Sequence, residues 1–206
     1  MVISQRIGIL HPGDMGISVA AAAQKSGHQV YWASEGRSAQ TRERAEKFKL
    51  HDVGTLRALC GTCTVIVSVC PPHAATGVAQ AVLDHGFTGM YLDANAISPQ
   101  RAIDMSRTMT AAGVAFVDGG IIGGPAWTPG ETVLYLSGPR AGEITGCFSG
   151  GPLETRVIAG DAGKASALKM CFAAYTKGTT ALLSAVVAAA EQLGVREDLY
   201  RAVVGQ

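Results

Sequence analysis

Short apolar runs alternate with amphipathic stretches along most of this chain. Strand-like runs occupy residues 6–10, 29–33, 64–69, 90–93 and 115–121, and helical spacing fills residues 15–26, 39–49, 74–83 and 99–112. Strict alternation of strand and helix predicts crossover units on a parallel sheet covered by helices on both faces. The run Val65-Ile66-Val67-Ser68-Val69 is nearly all β-branched, as befits a strand buried on both sides. Residues 132–137 and 156–159 read as later edge strands, separated by a Gly/Pro/Ser-rich stretch. The pattern changes after Gly160. Residues 162–193 carry no strand signal and would make one helix of roughly 48 Å at 1.5 Å per residue. Its segment from Ala181 to Ala190 is apolar nearly all round and needs a covering partner. Gly194 ends that helix, and residues 196–204 begin another. The expected fold is α/β: a doubly wound parallel sheet over residues 1–159, then a long helix over 160–206 opening an incomplete all-α C-terminal domain.

Composition narrows the function. Of 206 residues, 48% are apolar and 16% charged, which is a globular balance. Glycine is abundant at 26 residues without any repeat, so it serves tight turns and close backbone approaches. Seventeen basic and sixteen acidic residues leave a net +1, which argues against a nucleic-acid partner. The apolar run ending at Ala190 is about half the ~20 residues of a membrane span, so no membrane partner is expected. The N-terminal run Ile7-Gly8-Ile9-Leu10 is broken at once by His11 and Pro12, unlike a signal peptide. Five cysteines suit a reducing cytoplasm. Cys60-Gly-Thr-Cys63 has no second pair to complete a zinc site, so no metal is expected and these thiols read as structural.

The candidate chemistry begins after the first strand, at His11-Pro12-Gly13-Asp14-Met15-Gly16. A dinucleotide fingerprint asks for three glycines between strand and helix. Gly13 and Gly16 stand at its second and third positions, where backbone approaches pyrophosphate and where helix packs on strand. His11 replaces the first glycine, and Pro12 fixes φ in its place. Following the second strand, the usual NAD-selecting acid gives way to Ser34, with Arg37 and Ser38 close behind. Hydroxyls and a guanidinium fork suit a 2′-phosphate, so NADP is expected in preference to NAD.

Further motifs follow in order: Cys70-Pro71-Pro72, Asp93-Ala94-Asn95-Ala96-Ile97-Ser98-Pro99, Asp118-Gly119-Gly120-Ile121-Ile122-Gly123-Gly124, and Gly163-Lys164-Ala165-Ser166-Ala167-Leu168-Lys169. The ordered set resembles the β-hydroxyacid dehydrogenase superfamily, in particular its 6-phosphogluconate dehydrogenase-like branch, with relatives among the imine reductases. The resemblance implies a Rossmann domain in which His11 to Gly16 line the pyrophosphate. It implies that Val69, Cys70, Pro71 and Pro72 border the adenosine ribose, and that Asn95 sits by the nicotinamide in the catalytic site. It further implies that Ile122, Gly123, Gly124, Phe172 and Thr176 surround the substrate and that Lys169 transfers the proton. A lysine set among apolar neighbours can have its pKa brought toward neutrality for that role.

Two departures bear on substrate. Ile122 stands where the family has a substrate-binding serine, and Phe172 and Ala173 stand where it has an asparagine. Both remove hydrogen-bond donors, and a carboxylate buried there without partners would be costly. The expected activity is NADP-dependent hydride transfer to or from a C–O bond of a hydroxy- or keto-acid-like small molecule. The alternatives are reduction of an imine or enamine, and NADP(H) binding without turnover. The uncovered long helix leads us to expect either a fragment of a longer protein or a homodimer formed through the C-terminal helices.

Overall fold

A computed structural model of the chain describes residues 4–204. Its eight strands form one sheet in the order β3-β2-β1-β4-β5-β6-β7-β8. They are β1 (Arg6–Ile9), β2 (Gln29–Trp32), β3 (His51–Asp52), β4 (Val65–Ser68), β5 (Met90–Asp93), β6 (Ala115–Ile122), β7 (Val133–Ser137) and β8 (Glu154–Val157). The helices are α1 (Asp14–Lys25), α2 (Ala39–Lys47), α3 (Leu56–Thr62), α4 (Ala75–Asp84), α5 (Pro99–Ala111), α6 (Ala141–Thr145), α7 (Lys164–Gln192) and α8 (Arg196–Val204). The order 3-2-1-4-5-6 of the first six strands is that of a dinucleotide-binding doubly wound sheet.

The sheet is mixed. The first six strands are parallel, as expected, while β7 runs antiparallel to β6 and β8 parallel to β7 at the edge. The β6–β7 connection holds no crossover helix, and without one a parallel return is not available. The polar stretch before β8 is also more ordered than its composition suggests, since it carries α6 and a 3-10 turn at Gly146–Phe148.

Side-chain alternation gives each face its own core. Ile9, Val67, Leu92, Val117 and Leu134 pack with α1 residues such as Val19 and Ala22 on one face. Ile66, Tyr91 and Phe116 pack with Leu59, Val82, Met105 and Met109 from α3, α4 and α5 on the other. Ser38, Thr55 and Ser98 cap α2, α3 and α5 by accepting from the third residue beyond. Cys60 and Cys63 are free and buried, and burial pushes their thiols up to about 11 and about 12.

The chain divides into two compact units, Met1–Met170 and Cys171–Gln206. In the second, Leu182, Leu183, Val186, Leu193 and Val203 are all exposed. By length and composition α7 is also long and apolar enough to cross a membrane. The exclusion of a span from the shorter run at Ala181–Ala190 therefore does not hold on length alone.

Candidate functional site

The N-terminus of α1 opens directly from β1. Gly13 is its N-cap, in extended conformation, and no side chain caps it. The first-turn N–H groups and the positive end of the helix dipole are therefore open to an anion. A Cβ at Gly13 would meet nothing within 4 Å, whereas one at Gly16 would collide with the His11 carbonyl oxygen. The two glycines thus have different jobs. Gly16 lets helix and strand pack, while Gly13 leaves clear space above the turn.

Two polar atoms at this edge are buried without partners: Nδ1 of His11 and Nε of Arg37. Burial and the nearby Arg37 charge push His11 down to about 4, so its ring is neutral at physiological pH. Burial also lowers the Arg37 guanidinium, whose charge acts on the Cys70 thiol as well. Arg44 ties α2 to the turn, bonding Asp14 at 2.5 Å and the Pro12 carbonyl at 3.4 Å. Asp14, although exposed, is thereby paired with a cation beside the open helix terminus. Met15 packs against the core below.

The groups expected to choose between cofactors lie just beyond β2. Ser34 is buried beside Asp52 of β3. Desolvation opposes the Asp52 charge, but hydrogen bonds from Ser34 and Gly54 and the Arg42 charge hold its carboxyl below the usual range. Ser38 is exposed and accepts from the Thr41 amide as the cap of α2. Arg42 donates to the Arg37 carbonyl. The N-terminus of α2 and two guanidinium groups thus gather at the end of β2.

Asn95 sits between the ends of β4 and β5. Its Nδ2 donates to Ser68 Oγ at 3.0 Å and to Asp93 at 2.9 Å, and its Oδ1 accepts from the Cys70 amide at 2.5 Å. Both amide hydrogens are spent, so this side chain fixes the Cys70 turn and has no proton left to give. Val69 is half-buried, and Pro71 and Pro72 are exposed; Arg101 donates to the Pro72 carbonyl and ties this loop to α5.

The substrate motif ends β6. Ile122 is half-buried, and Gly123 has φ +127, a conformation that favours glycine. Thr132 Oγ1 donates to the Gly124 carbonyl at 2.8 Å, closing that turn. Lys169 lies on α7 and is half-buried, and its Cβ lies 3.1 Å from where a Cβ on Gly120 would stand. Phe172 and Thr176 belong to the second unit, where Phe172 is exposed and Thr176 donates to its carbonyl.

Asp118 heads one of the sequence motifs but has no role assigned from sequence. It is fully buried on β6 and accepts from the Ser137 hydroxyl at 2.9 Å, the Gly163 and Ser166 amides at 2.8 and 3.0 Å, and the Ser166 hydroxyl at 2.6 Å. No group of three or more His, Cys, Asp or Glu suited to a metal occurs among the described residues.

Residues 6–142 match the family described as the NAD binding domain of 6-phosphogluconate dehydrogenase. A curated relative is an uncharacterized 28.5 kDa protein of Methanothermus fervidus, 28% identical over 195 residues, covering 94% of this chain and 74% of its own. A conserved protein of unknown function, described as structurally similar to 3-hydroxyacid dehydrogenases, is 30% identical with a TM-score of 0.80, covering 96% of this chain and 74% of its own. Two more distant structures share the fold. One is an imine reductase variant from Myxococcus stipitatus in complex with NAD+ (TM-score 0.78, 20% identity, 98% of this chain and 71% of its own). The other is 3-hydroxyisobutyrate dehydrogenase from Mycobacterium tuberculosis with L-serine (TM-score 0.80, 18% identity, 99% and 71%). The chain belongs to the family of the NAD binding domain of 6-phosphogluconate dehydrogenase, and is an NAD(P)-dependent oxidoreductase.

Proposed function

We propose that this member of the family is an NADP(H)-dependent reductase or dehydrogenase acting on a small carbonyl, hydroxy or imine compound, with Lys169 as the proton-transfer residue. The observation that carries the cofactor half is the uncapped terminus of α1, flanked by buried unpartnered atoms of His11 and Arg37. A bound dinucleotide would satisfy all three at once, which is the simplest reason to leave such groups open. His11, Pro12, Gly13, Asp14, Met15 and Gly16 would hold the pyrophosphate, and Val69, Cys70, Pro71 and Pro72 the adenosine. Arg37 with Ser34, Ser38 and the start of α2 would take a 2′-phosphate. Asn95 would act as a positioning residue for the turn beneath the nicotinamide.

A dihydronicotinamide held there would supply hydride. Lys169 gives a proton to the substrate oxygen or nitrogen as the adjacent carbon accepts hydride, and removes it in the oxidising direction. Gly123 and Gly124 offer exposed backbone at the substrate end. Ile122 offers no hydrogen bond there, which favours a carbonyl or imine with an apolar substituent over a small polar hydroxy acid. The test is loss of NADPH absorbance across a panel of keto acids, ketones and cyclic imines. Turnover of at least one class is expected. Tight NADPH binding with no turnover anywhere on the panel would favour a binder without chemistry.

The exposed apolar side chains of the second unit support a homodimer formed through the C-terminal helices, with two copies burying them in one self-complementary interface. Light scattering at micromolar concentration reads this directly, and a stable monomer would exclude it. A cytoplasmic setting accords with five free thiols, and subcellular fractionation would test it.

A further inference from the structure

Across the middle of the sheet runs a row of polar residues where hydrophobic ones would be expected. Ser68 pairs in register with Asp93, Asp93 with Asp118, and Asp118 with Ser137, so four neighbouring strands point one polar side chain each to the same face. All four are fully buried. Two carboxylates on adjacent strands in a buried layer are expensive, and such an arrangement persists only where each is satisfied.

The two acids are satisfied differently. Asp93 accepts from the backbone and side-chain nitrogens of Asn95. Asp118 faces the start of α7. Its four donors include the amides of Gly163 and Ser166, which are two of the orphan N–H groups of that helix. Ser137, donating to Asp118, in turn accepts from the Ala165 amide at 3.0 Å. Three N–H groups at the start of α7 are therefore capped from the sheet, with a negative charge at the positive end of the helix dipole. Gly120 completes the seat. A Cβ there would stand 2.8 Å from the Ala165 carbonyl oxygen and 3.1 Å from Lys169 Cβ, so only glycine lets the helix settle this close to β6. Ser166, which Asp118 holds, and Lys169 are three residues, about one turn, apart on a helix whose height over the sheet is set by both contacts.

We propose that Asp118 is a positioning residue for the reaction: by clamping the first turn of α7 onto β6 through Gly163, Ser166 and Ser137, it sets where the Lys169 amine stands relative to the bound cofactor. This rests on the assignment of Lys169 given above. The clamp acts through geometry and transfers no proton itself.

The test is the acetylation rate of Lys169 in the full-length protein, read by peptide mass spectrometry with and without saturating NADPH. Lys25, at the far end of α1, serves as the internal reference. In the unsubstituted protein NADPH should slow Lys169 labelling and leave Lys25 unchanged. Asp118→Asn and the milder Ser166→Ala should still bind NADPH, by nicotinamide fluorescence, but lose that protection. Where a substrate has been found, the same variants should lower kcat by ~10²-fold with KM for NADPH nearly constant, the scale of a small misplacement of a reacting group. If Asp118→Asn does not fold, Ser166→Ala decides alone. Protection that persists in the variants overturns the clamp and leaves Lys169 standing. Absence of protection in the unsubstituted protein overturns the Lys169 assignment and the clamp with it.

Discussion

The two sides of this site treat their polar groups in opposite ways. Around the start of α1, the helix terminus has no side-chain cap, and His11 Nδ1 and Arg37 Nε are buried with nothing to bond. Around the start of α7, one carboxylate takes four donors and a serine bridges it to a third amide of the helix. Both are helix N-termini above the same sheet, with the same orphan N–H groups to satisfy. An open terminus holds binding capacity in reserve, whereas a saturated one spends that capacity on holding a side chain in place. On the function proposed above, the first would receive a phosphate and the second would hold a reacting residue rigid.

If the division is right, substitutions on the two sides should separate binding from chemistry. The largest effect is expected on the saturated side. Lys169→Ala should lower turnover by ~10²-fold or more, the usual scale for a general acid, with NADPH affinity nearly unchanged. Turnover at the unsubstituted rate would move the proton donor elsewhere. On the open side, Arg37→Ala should weaken NADPH by roughly 1–3 kcal/mol, as for a charge-assisted hydrogen bond, and NADH much less. Equal losses for the two cofactors would show that Arg37 does not read the 2′-phosphate.

The smallest effect is on stability against pH, where two buried groups, His11 and Asp93, pull in opposite directions. His11 has its pKa pushed down to about 4 by burial and by Arg37, so its contribution is present above about 6.5 and lost as pH falls toward 4. Asp93 has its pKa pushed up to about 6 by burial, with Asp118 adding to it. Its contribution is present below the ordinary carboxylate range and lost as pH rises through about 6. Over the interval between, the two slopes offset. Urea midpoints from pH 4 to 6.5 should therefore fall more steeply with acid in Asp93→Asn, and less steeply in His11→Asn, than in the parent. Parallel profiles for all three would contradict the opposition.

The contrast also marks what could be read from sequence. The central strands were legible because Val65–Ser68 and Met90–Asp93 are largely apolar runs buried on both faces. β3 was not, because His51–Asp52 is two exposed residues with no apolar pattern, and α3 was hidden by its length and the interior Gly61. The open side was legible, since glycines between a strand and a helix announce themselves by spacing. The saturated side was not. Asp118 stands inside an apolar run, and its meaning depends on pairing with Asp93 and Ser137, which register alone supplies. A polar residue at the same depth in Ser68, Asp93, Asp118 and Ser137 was the available signal. What the resemblance does not convey about Asn95 is how committed its side chain is: its hydrogens go to Ser68 and Asp93, and its oxygen accepts from the Cys70 amide of the turn it braces.

Gly13 offers the most direct test of the open terminus, because the space above it is empty of protein. Its extended N-cap conformation suits alanine, and the added Cβ would meet no protein atom within 4 Å. Gly13→Ala should thus melt close to the parent, within the ~1 kcal/mol that separates glycine from alanine at an N-cap. The same methyl would stand where pyrophosphate approaches the backbone. Titration with NADPH, followed by nicotinamide fluorescence, should show saturable binding to the parent and a loss of about tenfold or more in Gly13→Ala, the scale of 1.4 kcal/mol or greater. Unchanged NADPH affinity in a stable Gly13→Ala protein would contradict the assignment of this terminus to the cofactor.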